Sequence, residues 1–97
     1  GKDPLDAIDP DVFAQALAEL PHTQANSGTA VAQALVDSGL CASLSEARRA
    51  IAQGGVSINN RPVDDEHALV GTPQPPSDRW LLLKRGKKTL AGVELTG

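Results

Sequence analysis

The chain has 97 residues, with nine Lys and Arg, twelve Asp and Glu, two His, one Cys and a formal net charge of −3. That length fits one domain, or a small domain with an appendage, burying roughly 60–70% of its unfolded surface. A single Cys41 excludes an internal disulfide framework. No apolar run approaches the ~20 residues of a membrane span, and no signal-peptide pattern is read, so a soluble cytoplasmic protein is the expectation.

The charge is unevenly spread. Residues 1–37 carry a net −5 and residues 38–97 a net +2, and five of the eight bases in the second part lie between Arg79 and Lys88. An acidic total argues weakly against a nucleic-acid partner, whereas a local basic stripe argues for one. Only Phe13 and Trp80 are aromatic, so Leu, Val, Ile and Ala must build the core.

In chain order, Asp9 is an N-cap, Pro10 a first helical residue and Asp11 a first-turn acid. Ile8 and Phe13 suit a hydrophobic staple. Phe13, Leu17 and Leu20 form one narrow apolar stripe, and Pro21 stops the helix. The stripe is read as exposed and free to dock on something outside this chain. Residues 22–28 read as a linker, dividing a helical connector and linker over 1–28 from a module over 29–97.

A second helix is expected from about Thr29 or Ala30 to Ser38, closed by Gly39 and Leu40 in a Schellman end. A third begins at Ser43, where Ser43 and Glu46 form a capping box. Leu44, Ala47 and Ile51 make its buried stripe, Ser45, Arg49 and Gln53 lie opposite, and Arg48 lies at the border. Gly54-Gly55 ends it. Val56 to Ile58 alternates as a half-buried strand, Asn59-Asn60 makes a tight turn, and Pro62 confines the return to an edge. Asp64 to His67 is a polar loop, Ala68 to Val70 a short strand and Gly71 to Asp78 a Pro-rich loop. Arg79 to Arg85 and Lys87 to Leu95 form a hairpin turned by Gly86. Helices followed by short strands, without βαβ alternation, give an α+β fold.

Catalysis finds little support. The sequence has no Gly-rich phosphate loop, Gly-x-Ser-x-Gly or paired-Cys spacing. Asp64 to His67 offers carboxylates to a hard cation, but adjacent residues rarely converge on one ion, and a solvated turn is the ordinary reading. Cys41 precedes a helix, which would lower its pKa, but no His partner is evident and a small semi-buried residue is the ordinary reading. No metal or cofactor is expected. Basic side chains are the better signal. Arg48, Arg49 and Gln53 project from the third helix and Arg61 follows the Asn turn. Arg79, Lys84, Arg85, Lys87 and Lys88 gather at the hairpin, with Trp80 expected beside them. Guanidinium groups fork onto phosphate oxygens. Few aromatics disfavour a base-stacking platform and favour phosphate and shape readout of structured RNA.

The stretch Leu35 to Val63, with Ser45-Glu46-Ala47-Arg48-Arg49, then Gln53-Gly54-Gly55-Val56 and an Asn turn, resembles the small S-four-like RNA-binding module. Arg79-Trp80-Leu81-Leu82-Leu83-Lys84-Arg85-Gly86-Lys87-Lys88-Thr89 is similar to the carboxy-terminal end of bacterial tyrosyl-tRNA synthetases, and Leu5 to Pro21 resembles the connector preceding the module there. The resemblance implies two core helices packed on a small sheet of short strands, preceded by a short helix and linker. It implies a tail that grips the anticodon stem and long variable arm of tyrosine tRNA. The RNA-facing positions map onto Ser45, Arg48, Arg49, Gln53, Asn59 and Arg61, and the basic strand-turn onto Lys84, Arg85, Lys87 and Lys88. The family's His-Ile-Gly-His-like and Lys-Met-Ser-Lys-Ser-like motifs are not in this sequence. The resemblance therefore implies no catalytic site or ATP binding in the fragment, which is expected to be monomeric, and a parent that dimerises through its catalytic domains. Asn60 stands where the family turn commonly has Gly, so a looser or differently typed hairpin is expected. Two other readings are a protein-interaction module using the first helix, and an S-four-like domain of another RNA-modifying enzyme such as a pseudouridine synthase.

Overall fold

A computed structural model of the chain describes residues 8–73 and 76–96. Among these residues three helices, α1 (Pro10–Glu19), α2 (Val31–Asp37) and α3 (Leu44–Ala52), accompany five strands, β1 (His22–Ala25), β2 (Val56–Ile58), β3 (Arg61–Pro62), β4 (Trp80–Arg85) and β5 (Thr89–Leu95). The strands form one sheet in the order β1-β5-β4-β2-β3. β1 runs parallel to β5, and every other pair is antiparallel. The α+β expectation matches this small sheet with its helices.

Alternation along β4 divides the molecule into two layers of side chains. Leu81 and Leu83 face one way, into a core with Val31, Leu35, Ala47, Ile51, Val56, Ile58 and Val93. Trp80 and Leu82 face the other way, against Phe13 and Leu17 of α1. The sheet thus carries α2 and α3 on one face and α1 on the other.

The helix ends follow from their residues. Asp9 caps α1 by accepting from the Asp11 amide at 2.8 Å, and Ile8 packs in the same cluster as Phe13, as a staple requires. The α2 end is a Schellman motif. Gly39 adopts φ +86°, the Leu40 amide donates to Leu35 O at 2.9 Å and the Gly39 amide to Val36 O at 3.0 Å. The α3 end repeats it, with Gly54 at φ +76° and the Gly55 amide donating to Ala50 O. Only glycine takes that left-handed backbone without a steric cost.

Several expectations are corrected. Residues 22–25, read as linker, form β1, with His22 opposite Gly92 and Ala25 opposite Leu95. Four polar or small residues carry no alternation, and the strand exists because β5 offers an edge. The supposed free stripe of α1 is filled from within, since Phe13 and Leu17 are 4% and 3% exposed. Leu44 is exposed, and Ala50 replaces it in the buried stripe of α3. Ala68 to Val70 is no strand; a single bridge joins Leu69 to Ala30. The Asn turn is a tight two-residue connection, with Asn59 at φ +49° and Asn60 at φ +67° between paired Ile58 and Arg61. Asn tolerates the left-handed region, so the missing glycine does not loosen the turn. The connector's start at Leu5 and residues 74 and 75 of the Pro-rich loop lie outside the described residues.

Candidate nucleic-acid interface

The basic surface begins on α3. Ser43 accepts from the Glu46 amide at 3.2 Å, which starts the helix and sets its phase. That phase buries Ala47, Ala50 and Ile51 and leaves Ser45, Arg48, Arg49 and Gln53 exposed. The Glu46 carboxylate does not close the expected box on Ser43. It reaches one residue further back and accepts from the Ala42 amide at 2.7 Å.

The second contributor is the turn between β4 and β5. Gly86 takes φ +72°, and its amide donates to Gly55 O at 2.6 Å. This bond sets the turn carrying Lys87 and Lys88, both exposed, against the corner that follows α3. Two shallow hollows meet there. One of about 340 Å³ is lined by Leu40, Ala50, Gln53, Gly55, Arg85, Gly86 and Thr89. Another of about 290 Å³ is lined by Gly54, Gly55, Val56, Ser57, Pro62, Gly86 and Lys87. The structure therefore brings Gln53, Arg85 and Lys87 together around the two glycine corners, with Arg61 next to Pro62 on the edge strand.

Asn59 and Lys84 stand apart from this cluster, and Arg85, though within it, is engaged by the fold. Asn59 is 2% exposed; its Oδ1 accepts from the Leu82 amide at 2.7 Å and its own amide donates to Leu82 O at 2.8 Å. It joins the turn to β4. Lys84 follows Trp80 and Leu82 in the alternation and belongs to the α1 side of the sheet. Arg85 lies on the opposite side, half-buried, donating from one guanidinium nitrogen to Leu40 O at 2.8 Å and to Glu46 Oε1 at 2.8 Å. The Ala42 amide, and after it the Arg85 guanidinium, hold the Glu46 carboxyl below the usual carboxylate range. Trp80 is not beside this cluster. It packs inside the α1 layer with its ring 5.6 Å from that of His22, edge to face.

Sequence reasoning missed Ser57, Thr89 and the pairing of the Gly86 turn with the Gly54-Gly55 corner. The Gly-Gly and Arg-Gly-Lys-Lys motifs are the signals that mark them. A further hollow, about 420 Å³ between α1 and the start of β4, is rimmed by Asp11, Asp78 and Arg79, a poorer match for phosphate. Among the described residues no group of three or more His, Cys, Asp or Glu is placed to hold a metal. The Asp64–His67 loop is instead closed locally, with the His67 amide donating to Asp65 Oδ1 at 2.8 Å. Burial pushes the Cys41 thiol up, opposed by Arg85, the reverse of an activated nucleophile. No described helix is long and apolar enough to cross a membrane.

Comparison with known proteins decides the family. The profile of the Tyrosine--tRNA ligase SYY-like C-terminal domain matches residues 12–92. This chain belongs to that family. It is 62% identical over 85 residues to a tyrosine–tRNA ligase of Leifsonia xyli subsp. xyli, covering 88% of this chain and 19% of that protein. It is 41% identical over 97 residues to the tyrosine–tRNA ligase of Streptomyces coelicolor, covering all of this chain and 23% of that protein. The Mycobacterium tuberculosis tyrosine–tRNA ligase is 40% identical over 99 residues, again across all of this chain and 23% of its own length. The chain thus spans about a fifth of these ligases. The profile of the ligase C-terminal domain begins within α1 and ends within β5, so β1 and both faces of the sheet fall inside the family's pattern.

Proposed function

We propose that this domain is the tRNA-binding tail of a tyrosine–tRNA ligase, holding the anticodon stem and long variable arm of tyrosine tRNA through Arg and Lys contacts to phosphates. The observation that carries the reading is the 2.6 Å bond from the Gly86 amide to Gly55 O. It joins two basic segments, distant in sequence, into one surface. Arg48, Arg49 and Gln53 on α3, Ser45 beside them, Lys87 and Lys88 on the turn and Arg61 on the edge strand are the proposed contacts, with Lys84 reaching RNA from the other face. Two helices on a small sheet, followed by an Asn turn, agree with an S-four-like module.

The mode of readout follows from what the surface lacks. Phe13 and Trp80 are both buried, which leaves no Phe, Tyr or Trp face for a base to stack on. Phosphate contact and shape readout of structured RNA remain. Catalysis belongs to the rest of the ligase, which on this reading is a cytoplasmic homodimer. The protein-interaction reading loses its apolar docking stripe, because Phe13 and Leu17 of α1 are occupied within the chain, and keeps only the acidic first part of the sequence.

The test is filter binding of the domain to tyrosine tRNA and to a tRNA without the long variable arm, at several salt concentrations. Neutralising about four phosphates gives a slope of log affinity on log salt of roughly −3. A preference for tyrosine tRNA with that slope supports the reading. Equal binding moves selectivity to the rest of the ligase, and a salt-independent affinity overturns the phosphate contacts. Trp80 fluorescence is the poorer readout, since its ring sits in the α1 layer.

A further inference from the structure

We propose that Arg85 is a positioning residue, a strut that holds the Lys87-Lys88 turn against α3 through Glu46, rather than a phosphate contact. The proposal rests on the RNA-binding reading for its importance, and on geometry for its substance. Arg85 is the last residue of β4 and directly precedes Gly86. Its side chain reaches from the sheet into the α2–α3 layer and donates to both Leu40 O and Glu46 Oε1, each at 2.8 Å. The second oxygen of Glu46 accepts from the Ala42 amide at 2.7 Å. One carboxylate therefore connects the loop between α2 and α3, the first turn of α3 and the end of β4.

The turn is consequently held at two points, by the Gly86 amide on Gly55 O and by the Arg85 side chain. A turn held only by its backbone bond would swing about it, and the spacing of Lys87 and Lys88 from Arg48, Arg49 and Gln53 would vary. Fixed spacing matters because phosphates along an RNA strand are themselves regularly spaced. Charge points the same way. The Arg85 cation is already matched by Glu46, so it adds little to the field that RNA meets. Both bonds leave one nitrogen of a planar guanidinium, whose rigid geometry loses less freedom on bonding than a shorter Lys side chain with its ammonium on a flexible stem.

The two roles predict opposite signs for Glu46→Gln. Gln keeps an acceptor for the Ala42 amide but loses the ion pair. For a residue that touches phosphate, removing an acid beside the RNA and freeing Arg85 strengthens binding. For a strut, binding weakens, by about two- to fivefold for a half-exposed pair. Salt slopes separate the roles again. Arg85→Ala in the strut lowers affinity and leaves the slope unchanged, whereas Lys87→Ala makes the slope shallower by about 0.7–0.9 for each phosphate no longer neutralised. Arg85→Lys restores a phosphate partner but not a strut.

The experiment combines tRNA filter binding with amide hydrogen exchange at Gly86 for the wild type, Glu46→Gln, Arg85→Ala, Arg85→Lys and Lys87→Ala domains. Circular dichroism checks that each domain is folded. The expected result is faster Gly86 exchange and weaker binding at unchanged slope in the three Glu46 and Arg85 variants. Unchanged Gly86 exchange in folded Glu46→Gln and Arg85→Ala domains overturns the strut. So does a shallower slope for Arg85→Ala that Arg85→Lys restores. Absence of RNA binding by the wild type overturns the RNA reading instead, and Gly86 exchange still decides the strut.

Discussion

The two faces of the sheet are built by different means. The α2–α3 face is an aliphatic core of Val31, Leu35, Ala47, Ile51, Leu81, Leu83 and Val93, and its helices begin or end with local signals. The α1 face is smaller and aromatic, with Phe13 and Leu17 against Trp80 and Leu82. It depends on close approach at one point, where α1 meets the strand at Gly92. A Cβ built on Gly92 would lie 2.9 Å from Leu17 O and 3.0 Å from the Trp80 ring. The basic surface borders the first face. The second face gives the sheet a cover, and on the proposed function the contrast separates recognition from support.

Deleting residues 1–28 breaks the comparison most severely. It removes α1 and β1, exposing Trp80 and Leu82 and the edge of β5. Phe13 and Leu17 alone bury side chains worth ~1.5–3 kcal/mol each, against a whole-domain stability of ~5–15 kcal/mol. Residues 29–97 are expected to lose cooperative unfolding, read from urea denaturation followed by Trp80 emission. A cooperative, native-like transition would instead show that the connector over 1–28 and the module over 29–97 are separable units.

Gly92→Ala attacks the same face at one atom. The obstacle is backbone, so α1 must move, and a cost of about 1–3 kcal/mol is expected. A lowered urea midpoint with a red-shifted Trp80 spectrum is the result to look for, and an unchanged midpoint would mean that α1 shifts freely. Asn59→Gly acts on the other side of the comparison. Glycine keeps the left-handed turn but removes the acceptor of the buried Leu82 amide, a loss of about 1–3 kcal/mol measured as a lower thermal midpoint.

The smallest effect sharpens the comparison through pH. Glu46 is held below its ordinary value by the Ala42 amide first and Arg85 second, and Arg49 adds in the same direction. Its contribution is present above the ordinary glutamate value of ~4.3 and is lost as pH falls through the lower folded value. The stability difference between the wild type and Glu46→Gln should therefore be fullest near neutrality and close on acidification. Urea midpoints across that range check it, and a difference that grows in acid would reverse the assignment.

Legibility in the sequence followed locality. The caps at Asp9 and Ser43, the Schellman end at Gly39, the helix stop at Gly54-Gly55, the Asn59-Asn60 turn and the Gly86 hairpin are each set within a few residues, by φ restrictions and nearby hydrogen bonds. So was the exposed phase of α3, which presents Arg48, Arg49 and Gln53. β1 was not legible, because His22 to Ala25 become a strand only through pairing with residues some 70 positions later. Nor was the destination of the α1 stripe, since a narrow apolar face has no address until Trp80 and Leu82 lie opposite it. Arg85 and Asn59 read as surface polar groups by type, and tertiary structure turned both inward to bond partners that sequence spacing does not disclose. By itself the sequence determined the α+β class, the helix ends, the turns and where the basic side chains concentrate. Tertiary structure alone decided which of them share a surface, because a 2.6 Å bond between Gly86 and Gly55 is a property of two turns brought together by a sheet.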